Sequence, residues 1–217
     1  MIGRLARTAL ISLALSSAAH AQSANDDLLV AINNRDARAV GAALTMGADP
    51  NYLDPELTTT PLVIALGSRQ SAIALLLLAK GADPKAELAD GAQHIPAMIL
   101  AVKCDDPAVI AAMIDHGGDA AATDSYGNTA LTEAASDGRG DMVQALLGKG
   151  VDPNQADGRN RTALMWAIKT TNLPLVNLLL AHGAHANLAV DGVTPLQAAK
   201  SKGNADIVAA LRKAGAK

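Results

Sequence analysis

A short motif recurs along most of the chain at nearly constant spacing, and this repetition constrains the fold more than any other feature. The segment at residues 47–51 reads Gly-Ala-Asp-Pro-Asn. Degenerate copies begin at Gly81, Gly117, Gly150, Gly183 and Gly215, at intervals of 32 to 36 residues. A fixed period in this range is typical of chains that stack one small structural unit many times. The sequence therefore predicts a repeat protein rather than a domain built around one large core.

A second marker follows each of the first five glycines by 11 to 14 residues. Its copies are Thr60-Pro61-Leu62, Ile95-Pro96-Ala97, Thr129-Ala130-Leu131, Thr162-Ala163-Leu164 and Thr194-Pro195-Leu196. The last copy continues as Gln197-Ala198-Ala199 and is followed by Gly203 and Gly215. With a period near 33 and this T-P-L-x-x-A pattern, the chain resembles the ankyrin-repeat family.

The resemblance implies an all-α solenoid of stacked helix-turn-helix units joined by β-turn or hairpin loops. We expect six repeats, at about 26–57, 58–91, 92–126, 127–159, 160–191 and 192–217. In each marker the threonine suits a helix N-cap and the proline suits the first helical residue. The repeated glycine suits the left-handed residue that ends the second helix.

Three features depart from the family pattern. The histidine expected after T-P-L is replaced in all five copies, by Val63, Met98, Thr132, Met165 and Gln197. The glycine between the two helices survives as Gly138 and Gly203, whereas Arg35, Arg69 and Thr171 occupy the same position elsewhere. A left-handed backbone at those three residues would cost roughly 1 kcal/mol more than at glycine. The third repeat, with a longer turn over 86–94 and Ile95 in place of threonine, is expected to be the least regular.

The first 21 residues have the pattern of a secretory signal peptide. Arg4 and Arg7 precede a short apolar stretch over 8–15, and Ala19-His20-Ala21 fits the small-x-small cleavage rule. The apolar stretch is shorter than the roughly 20 residues that a membrane-spanning helix needs. We therefore expect cleavage after Ala21, no membrane insertion, and a periplasmic or secreted bacterial protein.

Composition narrows the functional classes. Half of the 217 residues are hydrophobic, only 1% are aromatic, and the formal net charge is −3. The apolar fraction argues against intrinsic disorder. The acidic balance and the scarcity of aromatic side chains argue against nucleic-acid binding, which uses basic surfaces and stacking rings.

The nucleophilic and metal-ligating residues do not form a recognisable catalytic pattern. His182 and His185 are three residues apart, but the intervening Gly183 ends the helix, so they need not share a face. Cys104 is the sole cysteine, which leaves a partly buried inert thiol or an intermolecular disulfide as alternatives. We expect no enzyme activity, no cofactor and no bound metal; a metal carrier or enzyme using His182, His185 or Cys104 is the least favoured hypothesis.

Protein binding is the remaining function, and the resemblance implies that it uses the concave face and the turn tips. Carried over by repeat position, the candidate partner-binding residues are Tyr126, Asn128, Asp137, Arg159, Arg161, Lys169, Thr170 and Lys202. Tyr126 is the anchor candidate, and Arg159, Arg161 and Lys169 could contact an acidic patch or simply form a solvated charged face. Trp166 falls at a buried aliphatic position of the family and is expected to pack in the core. The favoured role is an exported, monomeric scaffold or adaptor that binds an envelope or secreted protein; the alternative is a periplasmic immunity-type inhibitor of a toxin.

Overall fold

The computed structural model describes residues 22–54, 58–90, 93–104 and 106–217. The predicted signal peptide, residues 1–21, lies outside the described residues. The chain divides into two compact units, Met1–Asp83 and Pro84–Lys217, which we call unit 1 and unit 2.

Unit 1 contains four helices within the described residues. They are α1 (residues 22–33), α2 (Ala37–Thr45), α3 (Pro61–Gly67) and α4 (Ser71–Ala79). Helix α4 packs against both α2 and α3. The Asn51 side chain accepts a hydrogen bond from the Asp83 amide at 2.6 Å and donates one to the Gly81 carbonyl at 2.9 Å. The asparagine of one repeat motif therefore ties its turn to the next copy of the motif.

Unit 2 begins with a hairpin of two antiparallel strands, followed by helices in pairs. The strands are β1 (Glu87–Asp90) and β2 (Gln93–Pro96), with Leu88 opposite Ile95. The helices are α5 (Ala97–Val102), α6 (Pro107–Asp115), α7 (Ala130–Ser136), α8 (Gly140–Gly148), α9 (Ala163–Lys169), α10 (Leu173–Ala181), α11 (Pro195–Ser201) and α12 (Ala205–Lys213). Helices α5, α7, α9 and α11 pack side by side in one layer, and α6, α8, α10 and α12 form the second layer.

Threonine markers precede α3, α7, α9 and α11, whereas α5 follows Pro96. The hydroxyls of Thr129, Thr162 and Thr194 accept hydrogen bonds from the backbone amides three residues later. This contact satisfies a helix-end amide that has no partner inside the helix. Thr60 is an exception to the expected capping, because its side chain makes no cap hydrogen bond to α3. Pro61 still begins that helix, so its fixed φ angle, rather than a side-chain cap, defines the start.

The position between paired helices is left-handed in both units, as the repeat pattern predicts. Gly138 has a φ of 69°, and Arg35, Arg69 and Thr171 take the same conformation with φ values of 58°, 56° and 54°. A β-branched residue in this region is strained. The backbone of Thr171 is therefore strained, whereas Gly138 adopts the same conformation without strain.

The core of both units is built from aliphatic side chains. Fully buried examples are Leu28 and Leu62 in unit 1, and Leu131, Val176 and Leu211 in unit 2. Cys104 is also fully buried rather than partly buried, which places its thiol out of reach of a second chain in the folded state. Within the described residues, no helix combines the length and apolarity that crossing a bilayer requires.

Candidate partner-binding site

The turns that precede α7 and α9 lie directly against each other. The Thr123–Thr129 and Ala156–Thr162 pairs form isolated antiparallel bridges at the bases of these turns. A side chain at Gly158 would collide with the carbonyl oxygen of Tyr126, and a Cβ on Gly127 would lie 2.6 Å from the Gly158 Cα. Only glycines permit this approach of backbone to backbone. The contact holds the turn that carries Tyr126 against the turn that precedes α9.

A cleft of about 510 Å³ lies between these turns and helices α7 and α9. The turns contribute Tyr126, Asn128, Arg159 and Arg161, α7 contributes Glu133, and α9 contributes Trp166 and Lys169. We call this the Trp166 cleft. It brings together five of the eight predicted binding residues.

Trp166 does not pack in the core, and the expectation that it does is wrong. Its ring is half-buried and forms part of the cleft wall. The indole Nε1 donates a hydrogen bond to Asp157 Oδ2 at 3.1 Å. The Arg161 guanidinium carbon lies 4.1 Å from the ring centroid, and Lys169 Nζ lies 4.3 Å from it. The N–H of a tryptophan that is removed from water needs a hydrogen-bond acceptor. Here the acceptor lies in the turn before α9, so the ring lies toward the surface and not in the core.

Asp157 is the buried group that organises this part of the site, and its side chain is 1% exposed. Its Oδ1 accepts the backbone amides of Arg159 and Arg161, both at 2.9 Å. Its Oδ2 accepts Arg161 Nε at 2.9 Å and forms an ion pair with the second Arg161 nitrogen at 2.8 Å. Burial acts to raise the pKa of the Asp157 carboxyl, but the hydrogen bonds from Arg161, Arg159 and Trp166 outweigh it and hold that pKa below its usual value. Asp157 is therefore ionised at neutral pH and fixes the turn, the guanidinium and the indole together.

The three cations of the cleft are not equivalent. Arg161 is half-buried and its charge is neutralised by Asp157. Arg159 and Lys169 are exposed, and neither forms an ion pair with a carboxylate of the described residues. Two positive charges of the cleft are thus available to a ligand.

Glu133 lies on the α7 side of the cleft, and its nearest cation is Lys103, at 3.7 Å from Nζ to Oε1. Burial raises the pKa of the Glu133 carboxyl; Lys103 opposes this rise, whereas Asp137 and Asp124 add to it. The cleft therefore has one acidic wall on α7, and its available cations come from the turn and from α9.

Tyr126 is the exposed aromatic side of the cleft, with 65% of its surface accessible. Its hydroxyl accepts a hydrogen bond from Gln93 Nε2 at 2.8 Å. The neighbouring Ser125 hydroxyl accepts the His94 amide at 2.8 Å and contacts His94 Nδ1 at 3.0 Å. The β2 strand therefore supports the turn that presents Tyr126.

A second cavity, of about 310 Å³, lies between α9 and α11. Its apolar lining comes from Met165, Ile168, Val190, Val193 and Ala198, and we call it the apolar groove. The side chains of Arg161, Trp166 and Lys169 line both cavities. The groove and the Trp166 cleft therefore share one wall.

The predicted binding residues separate into three groups. Tyr126, Asn128, Arg159, Arg161 and Lys169 line the Trp166 cleft, and Lys202 lines the apolar groove. Asp137 and Thr170 are exposed at the ends of α7 and α9 and line neither cavity. The Thr170 hydroxyl instead donates to the carbonyl of Trp166 at 3.0 Å. Sequence reasoning missed Glu133, whose position one turn into α7 was its only signal.

The four histidines that the structure describes and Cys104 do not converge on a metal site. Among the described residues, no group of three or more His, Cys, Asp or Glu side chains has the arrangement to hold a metal ion. His182 Nε2 lies 3.5 Å from Gln144 Nε2, at the surface of the second helix layer.

Comparison with known proteins supports the repeat assignment. The family model described as ankyrin repeats (3 copies) matches residues 85–157 and 138–217. The chain belongs to the ankyrin-repeat family. Ankyrin repeats act as protein–protein interaction modules, so protein binding is the general function that this membership indicates.

Solved ankyrin structures share the fold over most of the chain. An ankyrin repeat domain from Acinetobacter baumannii AYE is 32% identical, with a TM-score of 0.76 over 88% of this chain and 98% of that one. The ankyrin repeat domain of Bcl-3, described as a unique member of the IkappaB protein family, is 28% identical, with a TM-score of 0.75 over 88% of this chain and 86% of that one.

Sequence relatives are mostly much longer proteins. The B-cell lymphoma 3 protein homolog of Mus musculus is 31% identical over 74% of this chain and 36% of its own length. The E3 ubiquitin-protein ligase KEG of Arabidopsis thaliana is 30% identical over 79% of this chain and 11% of its own length. The similarity thus covers about a third or less of each of these two relatives.

Proposed function

We propose that this ankyrin-repeat protein is a non-enzymatic adaptor that binds a partner protein through the exposed side of α7, α9 and α11 and the turns before them. We call this surface the α7–α9–α11 face. The observation that carries the proposal is the Trp166 cleft, which gathers Trp166, Tyr126 and Arg159 at one place on this face. Tryptophan, tyrosine and arginine are the residues most enriched at the energetic centres of protein interfaces.

The two aromatic side chains of the cleft are held in position before any partner arrives. Trp166 is fixed by Asp157, and the Tyr126 hydroxyl is fixed by Gln93. A side chain that is already ordered loses little conformational entropy on binding, so more of its contact energy contributes to affinity. This arrangement favours a binding role over a merely solvated surface.

We further propose that the protein acts as a monomer outside the cytoplasm, on an envelope or secreted protein. The support is the sequence pattern of residues 1–21, a basic start, a short apolar stretch and a small-x-small end. Fractionating bacterial cells that express the protein and sequencing the N-terminus of the recovered chain tests this step. A mature chain that starts near Gln22 supports export, whereas a retained Met1 refutes it.

Affinity capture from periplasmic extract tests the binding surface. The wild-type protein is compared with the double variant Tyr126→Ala, Arg159→Ala and with Lys213→Ala, which removes an exposed cation on α12 outside both cavities. We expect the double variant to lose the captured partner and the α12 variant to keep it. Equal capture by all three proteins would refute the assignment of the face. A resident envelope protein as the partner supports the adaptor role, and a secreted toxin would assign the inhibitor role instead.

A further inference from the structure

The charges of the Trp166 cleft define what it can bind. Asp157 neutralises Arg161, whereas the exposed Arg159 and Lys169 form no ion pair with the carboxylates of the described residues. Leaving two cations of one cleft without an anion is unfavourable when a partner surface removes water from them. A ligand that brings a carboxylate to this point would relieve the repulsion and gain charge-assisted hydrogen bonds.

The aromatic side chains limit where such a ligand can lie. The indole N–H already donates to Asp157, so Trp166 has no hydrogen bond to offer and contacts a ligand only with the ring surface that Arg161 and Lys169 leave uncovered. Lys169 Nζ lies 4.3 Å from the ring centroid, which keeps its charge at the border between the two cavities. A bound carboxylate at Lys169 therefore lies next to apolar ring surface.

The apolar groove continues from this border. Met165, Ile168 and Val193 contribute its apolar surface, and Val193 is 43% exposed. Displacing water from the exposed valine and the half-buried methionine by an apolar ligand group lowers the free energy of the complex. The charged and the apolar subsites therefore adjoin across the Trp166 ring.

We infer, on the basis of the proposed function, that the occupant of this surface is an acidic–apolar segment of the partner protein. An Asp or Glu side chain of that segment contacts Arg159 and Lys169, and a neighbouring aliphatic side chain enters the apolar groove. The position of Glu133 on the opposite wall disfavours a second carboxylate there and so orients the segment toward α9 and α11.

The overall charge of the protein separates this occupant from other anions. The chain has a formal net charge of −3, which repels long polyanions such as nucleic acids. A short acidic segment meets only the local cations of the cleft, and the apolar groove adds a contact that a free inorganic anion lacks.

The chain contains one tryptophan, so its fluorescence reports directly on the proposed site. The probes are ten-residue peptides in three matched pools: Asp/Glu with Leu/Ile, Asn/Gln with Leu/Ile, and Asp/Glu with Gly/Ser. We expect saturable emission changes with the first pool and binding weaker by about tenfold with each of the other two, because each lacks one contact. We also expect the binding of the first pool to weaken when the salt concentration rises from 50 to 500 mM, since exposed charges are screened.

Charge-removing variants locate the contact. Arg159→Gln and Lys169→Gln should each weaken binding of the first pool about fivefold, whereas Lys213→Gln should leave it unchanged. All three side chains are exposed, so each variant is expected to fold, which circular dichroism checks. Equal binding of the acidic and amide pools, unchanged binding by both cleft variants, or no response to any pool would overturn the inference.

The partner capture described above separates this inference from the proposed function. A partner that is lost with Tyr126→Ala, Arg159→Ala but retained by Arg159→Gln and Lys169→Gln at high salt overturns the acidic occupant and leaves the binding face intact. If the partner remains bound to the Tyr126→Ala, Arg159→Ala protein, the assignment of the α7–α9–α11 face as the binding surface is refuted, and this inference is refuted with it.

Discussion

Replacement of Asp157 by asparagine is the sharpest test of how the site is built. The aspartate accepts two backbone amides through Oδ1, and the asparagine carbonyl can keep both. The amide NH₂ would then replace Oδ2, where it meets the N–H groups of Arg161 and Trp166 instead of accepting from them. Two nitrogens of Arg161 and the indole nitrogen of Trp166 would then point their N–H groups at the asparagine NH₂, which is itself a donor, in a buried position.

The magnitude follows from the contacts that are lost. A hydrogen bond to a charged group contributes about 1.5–3 kcal/mol, and an unsatisfied buried donor costs about 1–3 kcal/mol. Because Arg161 and Trp166 are only half-buried, water partly replaces the lost partner. We therefore expect Asp157→Asn to lower the free energy of unfolding by about 3 kcal/mol, near the lower end for breaking a buried ion pair.

Asp124 provides the matched control, because it holds the same place in the preceding turn. Its Oδ1 accepts the amides of Tyr126 and Asn128, and its Oδ2 accepts only the Asn128 side-chain amide at 3.0 Å. With no cation and no indole to leave unpaired, Asp124→Asn should cost about 1 kcal/mol. Urea unfolding followed by circular dichroism at pH 7 measures both variants.

The pH dependence provides an independent check with a definite sign. The native pKa of Asp157 lies below its usual value, so the carboxylate stabilises the fold above the unfolded pKa, near 3.9. This stabilisation disappears as the pH falls through the native pKa. The difference between wild type and Asp157→Asn should therefore be full at pH 6–7 and shrink below pH 4. A cost no larger than that of Asp124→Asn, or a cost that persists unchanged in acid, would refute the assigned role of the carboxylate.

Three further substitutions and one labelling reaction test the repeat framework. Asn154→Ala removes hydrogen bonds to the next turn, among them the 2.8 Å bond from the His185 amide, and should cost about 1–2 kcal/mol in urea unfolding. Thr171→Gly should instead stabilise the protein by about 0.5–1 kcal/mol, because it relieves a φ of 54°. Gly138→Thr is the reverse substitution and should destabilise by at least as much; identical unfolding midpoints for both would contradict the strain. Cys104 is fully buried, so thiol-reagent labelling should follow global unfolding, and fast labelling of the native protein would contradict its burial.

The helices could be predicted from the sequence because each repeat carries its own boundary signals. Thr129, Thr162 and Thr194 cap the helices that the T-P-L marker predicts. The left-handed positions at Arg35 and Thr171 also follow from alignment with the glycine of other repeats. These features are local, so a period and a propensity suffice to place them.

Hairpin loops between repeats are expected from the family resemblance, but the repeat period does not place the specific strands β1 and β2, although the sequence contains a local signal for them. In the sequence only Gly91-Ala92 separates β1 from β2, and a two-residue link with glycine first is typical of hairpin turns. The repeat period alone predicts an irregular long turn here, because a period specifies spacing and not local turn chemistry. The structure places an antiparallel pair there, with Ala89 opposite His94.

The exposure of Trp166 could not be predicted from its repeat position alone. Register places residue 166 on the inner side of a first helix, where an aliphatic side chain packs. What changes its surroundings is Asp157, nine residues earlier in the turn, whose second carboxylate oxygen faces the indole N–H at 3.1 Å. Such a contact depends on the three-dimensional closeness of turn and helix, which a sequence period does not specify.

Because the chain has so few aromatic residues, the surface position of Trp166 is informative. The chain has one tryptophan, two tyrosines and no phenylalanine, and the core of unit 2 is aliphatic. Packing of such thin layers does not require rings, since small and branched side chains fill the space between adjacent helices. Yet the tryptophan and the tyrosine of unit 2, Trp166 and Tyr126, both line one cleft, and each is held there by a hydrogen bond from or to a neighbouring element. Unit 2 therefore builds its core without rings and fixes its two rings at one surface cleft, which is the arrangement that the proposed binding role requires.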